Sequence, residues 1–160
     1  MRRIFIDCDG VLADFDRAYA DLMGGSMKET EEKLGWEEAW AKLREKAPNF
    51  YAELPVMPDA WDLMRGLQKY RPVILTGCPE GGWSEAQKIA WGQEHFKGFT
   101  MCTVGRSFLK NKYCHAGDIL VDDYLKYAKD WIEANGLFVL HINAKNSLAI
   151  VQSIMEKPHA

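Results

Sequence analysis

IFIDCDGVLADF, residues 4–15, runs from apolar to acidic within four positions. Three apolar residues, Ile4–Ile6, lead directly into Asp7 and Asp9, and Gly10 follows. An uninterrupted apolar run is typical of a strand buried on both faces of a parallel sheet. Ligands of such sheets bind at the carboxyl ends of the strands. The stretch therefore predicts a buried strand that ends in a chemically active site.

Four more apolar runs rich in β-branched or aromatic residues follow along the chain. The predicted strands are Arg3–Asp7, Pro72–Thr76, Phe99–Val104, Asp118–Asp122 and Leu137–Ile142. Helical periodicity falls between them, and S-x-x-Q at Ser84–Gln87 is a capping-box pattern that opens one of these helices. Asn135–Gly136 is typical of a helix C-terminus. Strands that alternate with helices predict an α/β fold with a Rossmann-like, doubly wound parallel sheet.

Residues 16–49 interrupt this alternation. A turn at Met23–Ser26 separates two predicted helices, and the second carries Trp36 and Trp40 at helical spacing. We interpret this segment as a small helical cap inserted after the first strand. The predicted organisation is an α/β core of residues 1–15 and 50–160 with a cap of residues 16–49.

Bulk properties restrict the class of protein. The chain has 160 residues, 48% of them hydrophobic, and a formal charge of −3, which does not favour binding to a nucleic-acid polymer or to an anionic membrane. No apolar run reaches the roughly 20 residues that a membrane span needs. The four cysteines lack metal-binding spacing, so we expect reduced thiols in a cytoplasmic protein. Homodimer formation is left open.

Residues suited to binding or catalysis follow four of the predicted strands, where the carboxyl ends of a parallel sheet meet. They are Asp7 and Asp9, Thr76 and Gly77, Arg106 and Lys112, and Asp122 and Asp123. Several carboxylates in one pocket repel one another unless a cation lies among them. Oxygen ligands without histidine or cysteine favour Mg²⁺. A hydroxyl and a lysine beside the metal suit a phosphate, so we expect a Mg²⁺-dependent site for a phosphomonoester.

The chemistry that this pattern allows is phosphoryl transfer through the protein. Asp7 can attack phosphorus and form an aspartyl-phosphate that water later hydrolyses. Asp9 can protonate the leaving oxygen and then activate the water. An EF-hand is excluded, because counting from Asp7 places Leu12 at the position of the required glycine and Ala18 at that of the required glutamate.

DCDGVLADF resembles motif one of the phosphatases of the haloacid dehalogenase superfamily, D-x-D-G-V, and the remaining motifs occur in that family's order. ILTG resembles motif two at Thr76, Lys112 the motif-three lysine, and ILVDD the acidic pair of motif four. The resemblance implies a HAD-like fold, with Asp7 as the nucleophile and Asp9 as the acid/base. It further implies phosphate binding by Thr76 and Lys112, and a Mg²⁺ site made by Asp7, the Asp9 carbonyl, Asp122 and Asp123. Gly77, next to Thr76, is a further phosphate-binding candidate.

Within that superfamily the chain is most similar to the 5′(3′)-deoxyribonucleotidases, in residues 50–60 and in QKIAWGQEHFKG at 87–98. The lysine ten residues before the acidic pair follows their spacing, which favours Lys112 over Lys110. This similarity implies a nucleoside monophosphate as the substrate. Gly77 departs from it, since those enzymes usually have serine there.

The substrate-binding candidates are Phe15 and Phe50, which we expect to stack on a base, and Arg106, which we expect to contact a substrate anion. Three alternatives stay open. They are another small phosphomonoester such as a sugar phosphate, a phosphotransferase reaction, and a receiver-like signalling domain. The last is disfavoured because in receiver domains the acidic pair comes first in the chain.

Overall fold

The computed structural model describes residues 1–157, so the last three residues of the predicted core lie outside the described part. Its five strands are β1 (Ile4–Ile6), β2 (Val73–Gly77), β3 (Thr100–Val104), β4 (Ile119–Asp122) and β5 (Leu137–Leu140). Each lies within two residues of its predicted bounds. The strands form one sheet in the order β3-β2-β1-β4-β5, with every pair parallel. The predicted α/β Rossmann-like fold is therefore confirmed.

The central strand β1 explains why the opening stretch is apolar throughout. Phe5 pairs with Val73 of β2 and with Leu120 of β4, so β1 has a neighbour on both sides. Ile4 and Ile6 pack into the larger hydrophobic core on one face of the sheet, and Phe5 packs into a second core on the other face. The exposure of all three side chains is 2% or less. A strand covered on both faces cannot alternate apolar and polar residues.

Seven α-helices accompany the sheet. They are α1 (Phe15–Met23), α2 (Met27–Leu34), α3 (Trp36–Lys46), α4 (Ala60–Leu67), α5 (Glu85–His95), α6 (Ala128–Glu133) and α7 (Ala144–Glu156). A 3₁₀-helix, Ser107–Tyr113, connects β3 to β4. Helix α6 ends as predicted at Asn135–Gly136, since Asn135 has a positive φ of 63° and the Gly136 N–H donates to Trp131. None of the helices in residues 1–157 is both long enough and apolar enough to cross a membrane.

The segment between β1 and β2 contains one more helix than expected. Gly35, with φ of 80°, divides the predicted second helix into α2 and α3. Ser26 and Glu29 form a reciprocal capping box at the start of α2. The bounds of the cap, residues 16–49, stay a prediction.

The capping box predicted at Ser84–Gln87 is wrong. The Ser84 side chain makes no capping hydrogen bond to α5. Instead, the Gln87 Oε1 accepts from the Tyr51 N–H at 3.1 Å, and its Nε2 donates to the Pro48 carbonyl at 2.8 Å and to the Trp83 carbonyl at 3.1 Å. Gln87 therefore fastens the segment that follows α3 to helix α5.

Candidate active site

The sheet order brings the predicted catalytic residues together. β1 lies between β2 and β4, so the carboxyl ends that carry Asp7, Thr76 and Asp122 are neighbours. The Asp7 N–H donates to the Val121 carbonyl at 2.9 Å, which continues the pairing of β1 with β4 to the first carboxylate. Asp7, Thr76 and Asp122 are all buried residues. Their positions are thus set by the rigid centre of the fold.

Three carboxylates form a cluster at this edge. Asp7, Asp122 and Asp123 each offer an oxygen, and these oxygens lie within 4.8 Å of one another. Gly10 permits the arrangement, because a Cβ at that position would stand 2.1 Å from Asp123 Oδ2, and its φ of 85° also disfavours other residues. Carboxylate oxygens without nitrogen or sulfur ligands are the donor set that suits Mg²⁺. The cluster therefore fits the predicted metal, whereas the contribution of the Asp9 carbonyl stays a prediction.

The lysine of the site is Lys110, which corrects the assignment of Lys112. Lys110 is 2% exposed, and its Nζ donates to Asp7 Oδ1 at 2.6 Å and to Asp122 Oδ2 at 2.8 Å. Lys112 is exposed, and within residues 1–157 it makes no ion pair and does not line the cavity. The cause is the 3₁₀-helix, whose period of about three residues places Ser107 and Lys110 on one side and turns Lys112 away.

The charges of the cluster shift its titration. Burial and the charge of Asp122 raise the pKa of Asp7 to about 6, because they outweigh the opposite effect of Lys110. Partial burial and the charges of Asp7 and Asp122 raise the pKa of Asp123 to about 7. Burial alone would lower the pKa of Lys110, but Asp7 and Asp122 outweigh it and raise that pKa. Lys110 is therefore a fixed cation, and the cluster still carries excess negative charge that a divalent ion can offset.

Asp9 lies next to a second buried lysine, Lys88 of α5, which belongs to none of the predicted site residues. Lys88 is 2% exposed, and its Nζ donates to Asp9 Oδ2 at 2.5 Å, to Thr76 Oγ1 at 3.0 Å and to the Gly77 carbonyl at 2.9 Å. One signal was available, because Lys88 falls on the helix face that it shares with Trp91 and Gly92, both buried. A lysine on the buried face of a helix needs a partner.

The glycine at position 77 is explained by the lack of space for a side chain there. A Cβ at position 77 would stand 2.2 Å from Ser107 Oγ and 2.6 Å from the Ser107 backbone nitrogen. The start of the 3₁₀-helix therefore occupies the space that a serine side chain at position 77 would need. This explains the departure noted in the sequence, since the Ser107 hydroxyl stands where that side chain would be.

A cavity of about 630 Å³ opens over the cluster. Phe15 and Arg106, the predicted substrate contacts, line it together with Trp36 and Trp40 from α3 and Phe108 from the 3₁₀-helix. Their contact with a substrate stays a prediction. Arg106 forms an ion pair there with Glu80. Phe50 does not line the cavity, which disagrees with the prediction that its ring stacks on a base. It is 5% exposed and packs edge-on against the Phe15 ring with centroids 5.3 Å apart.

The raised pKa values of Asp7 and Asp123 predict a pH-dependent stability. Both groups bind protons more tightly in the folded than in the unfolded chain, so their contribution to stability falls as the pH rises from about 4 to about 7. Mg²⁺ competes with these protons. We expect Mg²⁺ to raise the Tm more at about pH 8 than at about pH 5. Asp123→Asn should remove most of this difference, and an equal Mg²⁺ effect at both pH values would contradict the metal site.

Similar proteins are found by structure and not by sequence. No protein-family model and no curated protein matches the sequence. The fold is similar to a hydrolase from Streptococcus pneumoniae TIGR4, with a TM-score of 0.59, 13% identity, and coverage of 94% of this chain and 98% of that one. It is also similar to a putative haloacid dehalogenase-like hydrolase from Burkholderia xenovorans LB400, with a TM-score of 0.58, 19% identity, and coverage of 98% and 91%.

A third similar structure is a putative beta-phosphoglucomutase from Thermotoga maritima, with a TM-score of 0.51, 14% identity, and coverage of 96% of this chain and 99% of that one. Identities this low carry information about the fold only. The chain spans nearly the full length of all three structures. The chain therefore shares its α/β fold with these three structures.

Proposed function

We propose that this protein is a Mg²⁺-dependent phosphomonoester hydrolase that works through an aspartyl-phosphate on Asp7. The observation that carries the proposal is the carboxylate cluster of Asp7, Asp122 and Asp123, held beside the buried cation Lys110 under a cavity of about 630 Å³. Three acidic groups and a fixed cation at the end of a central strand match the needs of phosphoryl transfer, which are positioning and charge stabilisation.

Asp7 suits the role of nucleophile. Lys110 binds its Oδ1, whereas Oδ2 accepts no hydrogen bond from the described residues. Oδ2 can therefore attack phosphorus while Lys110 holds the carboxylate in one orientation. A divalent cation held by the three carboxylates would offset the charge of the phosphoryl oxygens.

Asp9 suits the acid/base role. It lies two residues beyond the nucleophile, borders the same cavity, and its side chain is 28% exposed. From there it can protonate the leaving oxygen and later take a proton from the attacking water. Thr76 and Lys110 are the proposed phosphate ligands of the protein, and Lys110 takes the role predicted for Lys112.

A nucleoside monophosphate is the proposed substrate. The cavity is far larger than a phosphate, and aromatic side chains from the cap and the core line it, among them Phe15, Trp36 and Phe108. Aromatic rings stack on bases with about 1–3 kcal/mol per base. Arg106 can leave Glu80 to contact a second anionic or polar group of the substrate. The cap segment over the cavity suits a mononucleotide better than a polymer end.

A sugar phosphate is the second candidate. The fold is shared with a protein described as a putative beta-phosphoglucomutase, and with a phosphonoacetaldehyde hydrolase-like protein from Oleispira antarctica at 14% identity and a TM-score of 0.56. These names concern those proteins. They support including sugar phosphates and phosphoryl acceptors in the test below.

The test is phosphate release from a panel of ribo- and deoxyribonucleoside monophosphates, hexose phosphates and a pentose phosphate. We expect nucleoside monophosphates to have the highest kcat/KM, and activity to be lost with a chelator and restored by Mg²⁺. Preference for a sugar phosphate would replace the proposed substrate and keep the reaction. No Mg²⁺-dependent release from any member would contradict the hydrolase itself, and transfer to a sugar acceptor without phosphate release would indicate a phosphotransferase.

A further inference from the structure

Lys88 is a buried cation whose three N–H donors all bind acceptors within the protein. An ammonium group has three N–H donors, and Lys88 directs them to Asp9 Oδ2, Thr76 Oγ1 and the Gly77 carbonyl. Its Nζ also lies 4.5 Å from the centroid of the Tyr51 ring. Lys88 does not line the cavity. It therefore has no donor left for a substrate phosphate unless it gives up one of these contacts.

Each of the two side-chain contacts of Lys88 fixes a group that faces the cavity. Asp9 is held through Oδ2 alone, because its Oδ1 is buried and has no hydrogen-bond partner among the described residues. Removing Lys88 would free the carboxylate to rotate. Its orientation toward a leaving group or a water therefore depends on this one lysine.

The contact with Thr76 sets the direction of a proton. Thr76 Oγ1 accepts from Lys88 at 3.0 Å, so its own hydrogen points elsewhere. The alternative acceptor, the Gly77 carbonyl, is 3.4 Å away, a long distance for a hydroxyl hydrogen bond. Thr76 lines the cavity, and its O–H is thus available to an oxygen bound there.

We propose that Lys88 is a positioning residue that orients the Asp9 carboxylate and the Thr76 hydroxyl for phosphoryl transfer without binding the substrate. The proposal rests on the hydrolase function proposed above. Burying a lysine costs free energy, which the ion pair with Asp9 and the contact with the Tyr51 ring offset. The role in orienting Asp9 and Thr76 would explain why a lysine lies on the buried face of α5.

The test separates the two halves of the reaction with 4-nitrophenyl phosphate, whose leaving group needs no proton. The burst of nitrophenolate reports formation of the aspartyl-phosphate, and the following steady rate reports its hydrolysis, in which Asp9 activates water. In Lys88→Met we expect the steady rate to fall on the order of 10²-fold, the size of a lost general base, and the burst rate to change about tenfold or less. The phosphoenzyme should therefore accumulate, with a burst near one product per site.

The controls distinguish positioning from other roles. Lys97→Met, at the exposed position just after α5, should keep wild-type kinetics. Lys88→Gln retains two N–H donors and should recover part of the steady rate. A higher KM with equal losses in the burst and steady rates would show phosphate binding instead. A burst amplitude well below one product per site in folded protein would show that the phosphoenzyme does not accumulate. Either result overturns the proposal.

A crystal structure of Lys88→Met gives a second readout that does not depend on activity. We expect Asp9 and Thr76 to adopt new side-chain conformations. Unchanged conformations would overturn the positioning role even in a protein that hydrolyses no phosphomonoester. A wild-type protein without any such activity would contradict the proposed function, so the two failures can be told apart.

Discussion

Asp7→Asn should lower kcat/KM for the preferred phosphomonoester by on the order of 10⁴-fold or more, because an amide cannot replace the carboxylate as a nucleophile. Asparagine has nearly the same shape and can still accept a hydrogen bond from Lys110, which now contacts Asp7 Oδ1 at 2.6 Å. The folded structure should therefore persist while the covalent route is lost. Phosphate release and acid-stable trapping of labelled phosphate on the protein would measure both steps.

Two aspartates close to Asp7 in the chain serve as matched controls. Asp9→Asn should slow turnover yet still form phosphoprotein, since it removes the proton transfers and keeps the nucleophile. Asp14→Asn should keep wild-type activity, because Asp14 caps α1 by accepting from the Arg17 N–H and asparagine caps helices equally well. Phosphoprotein in the Asp7→Asn variant would disprove Asp7 as the nucleophile.

The sequence predicted the sheet and the carboxylates of the site because both depend on local pattern. Apolar runs rich in β-branched residues located all five strands, and in a parallel sheet the positions after Ile6 and Val121 must lie at the same edge. The cluster of Asp7, Asp122 and Asp123 follows from that topology. No side-chain packing was needed to anticipate it.

Residues brought in by irregular or helical segments were harder to predict. Phe15 and Phe50 both flank the predicted cap, yet only Phe15 lines the cavity, because the Phe50 ring turns inward to pack against Phe15 and Tyr19. Gln87 has the spacing of a capping residue but serves a long-range contact with the chain near Tyr51. Such choices depend on tertiary packing, which overrides local spacing.

The two lysines of the connection between β3 and β4 show this limit most clearly. The ten-residue spacing to the acidic pair favours Lys112, because a sequence gives the distance along the chain and not the distance in space. The segment instead folds as a 3₁₀-helix over Ser107–Tyr113, and its period of about three residues selects Lys110. The structure therefore makes a prediction opposite to that of the sequence.

Lys110→Met should lower kcat/KM on the order of 10²–10³-fold, because it removes a buried cation beside the proposed nucleophile, where phosphoryl charge would develop. Lys112→Met makes the same chemical change two residues away at an exposed position and should leave the kinetics unchanged. The comparison cancels any general effect of losing a positive charge from the protein. A large loss in Lys112→Met with normal turnover in Lys110→Met would show that the site binds substrate in a different arrangement.

Lys110→Met also tests the charge balance of the cluster by a route that needs no substrate. Lys110 is the cation between Asp7 and Asp122, so its loss leaves two buried carboxylates facing each other without compensation. The variant should therefore have a lower Tm than wild type in the presence of a chelator, and Mg²⁺ should recover more of the Tm in the variant than in wild type. Lys112→Met should match wild type in both conditions. If Mg²⁺ leaves the Tm of Lys110→Met unchanged, the carboxylates do not bind the metal, since a cation at this cluster must relieve the repulsion that the missing lysine exposes.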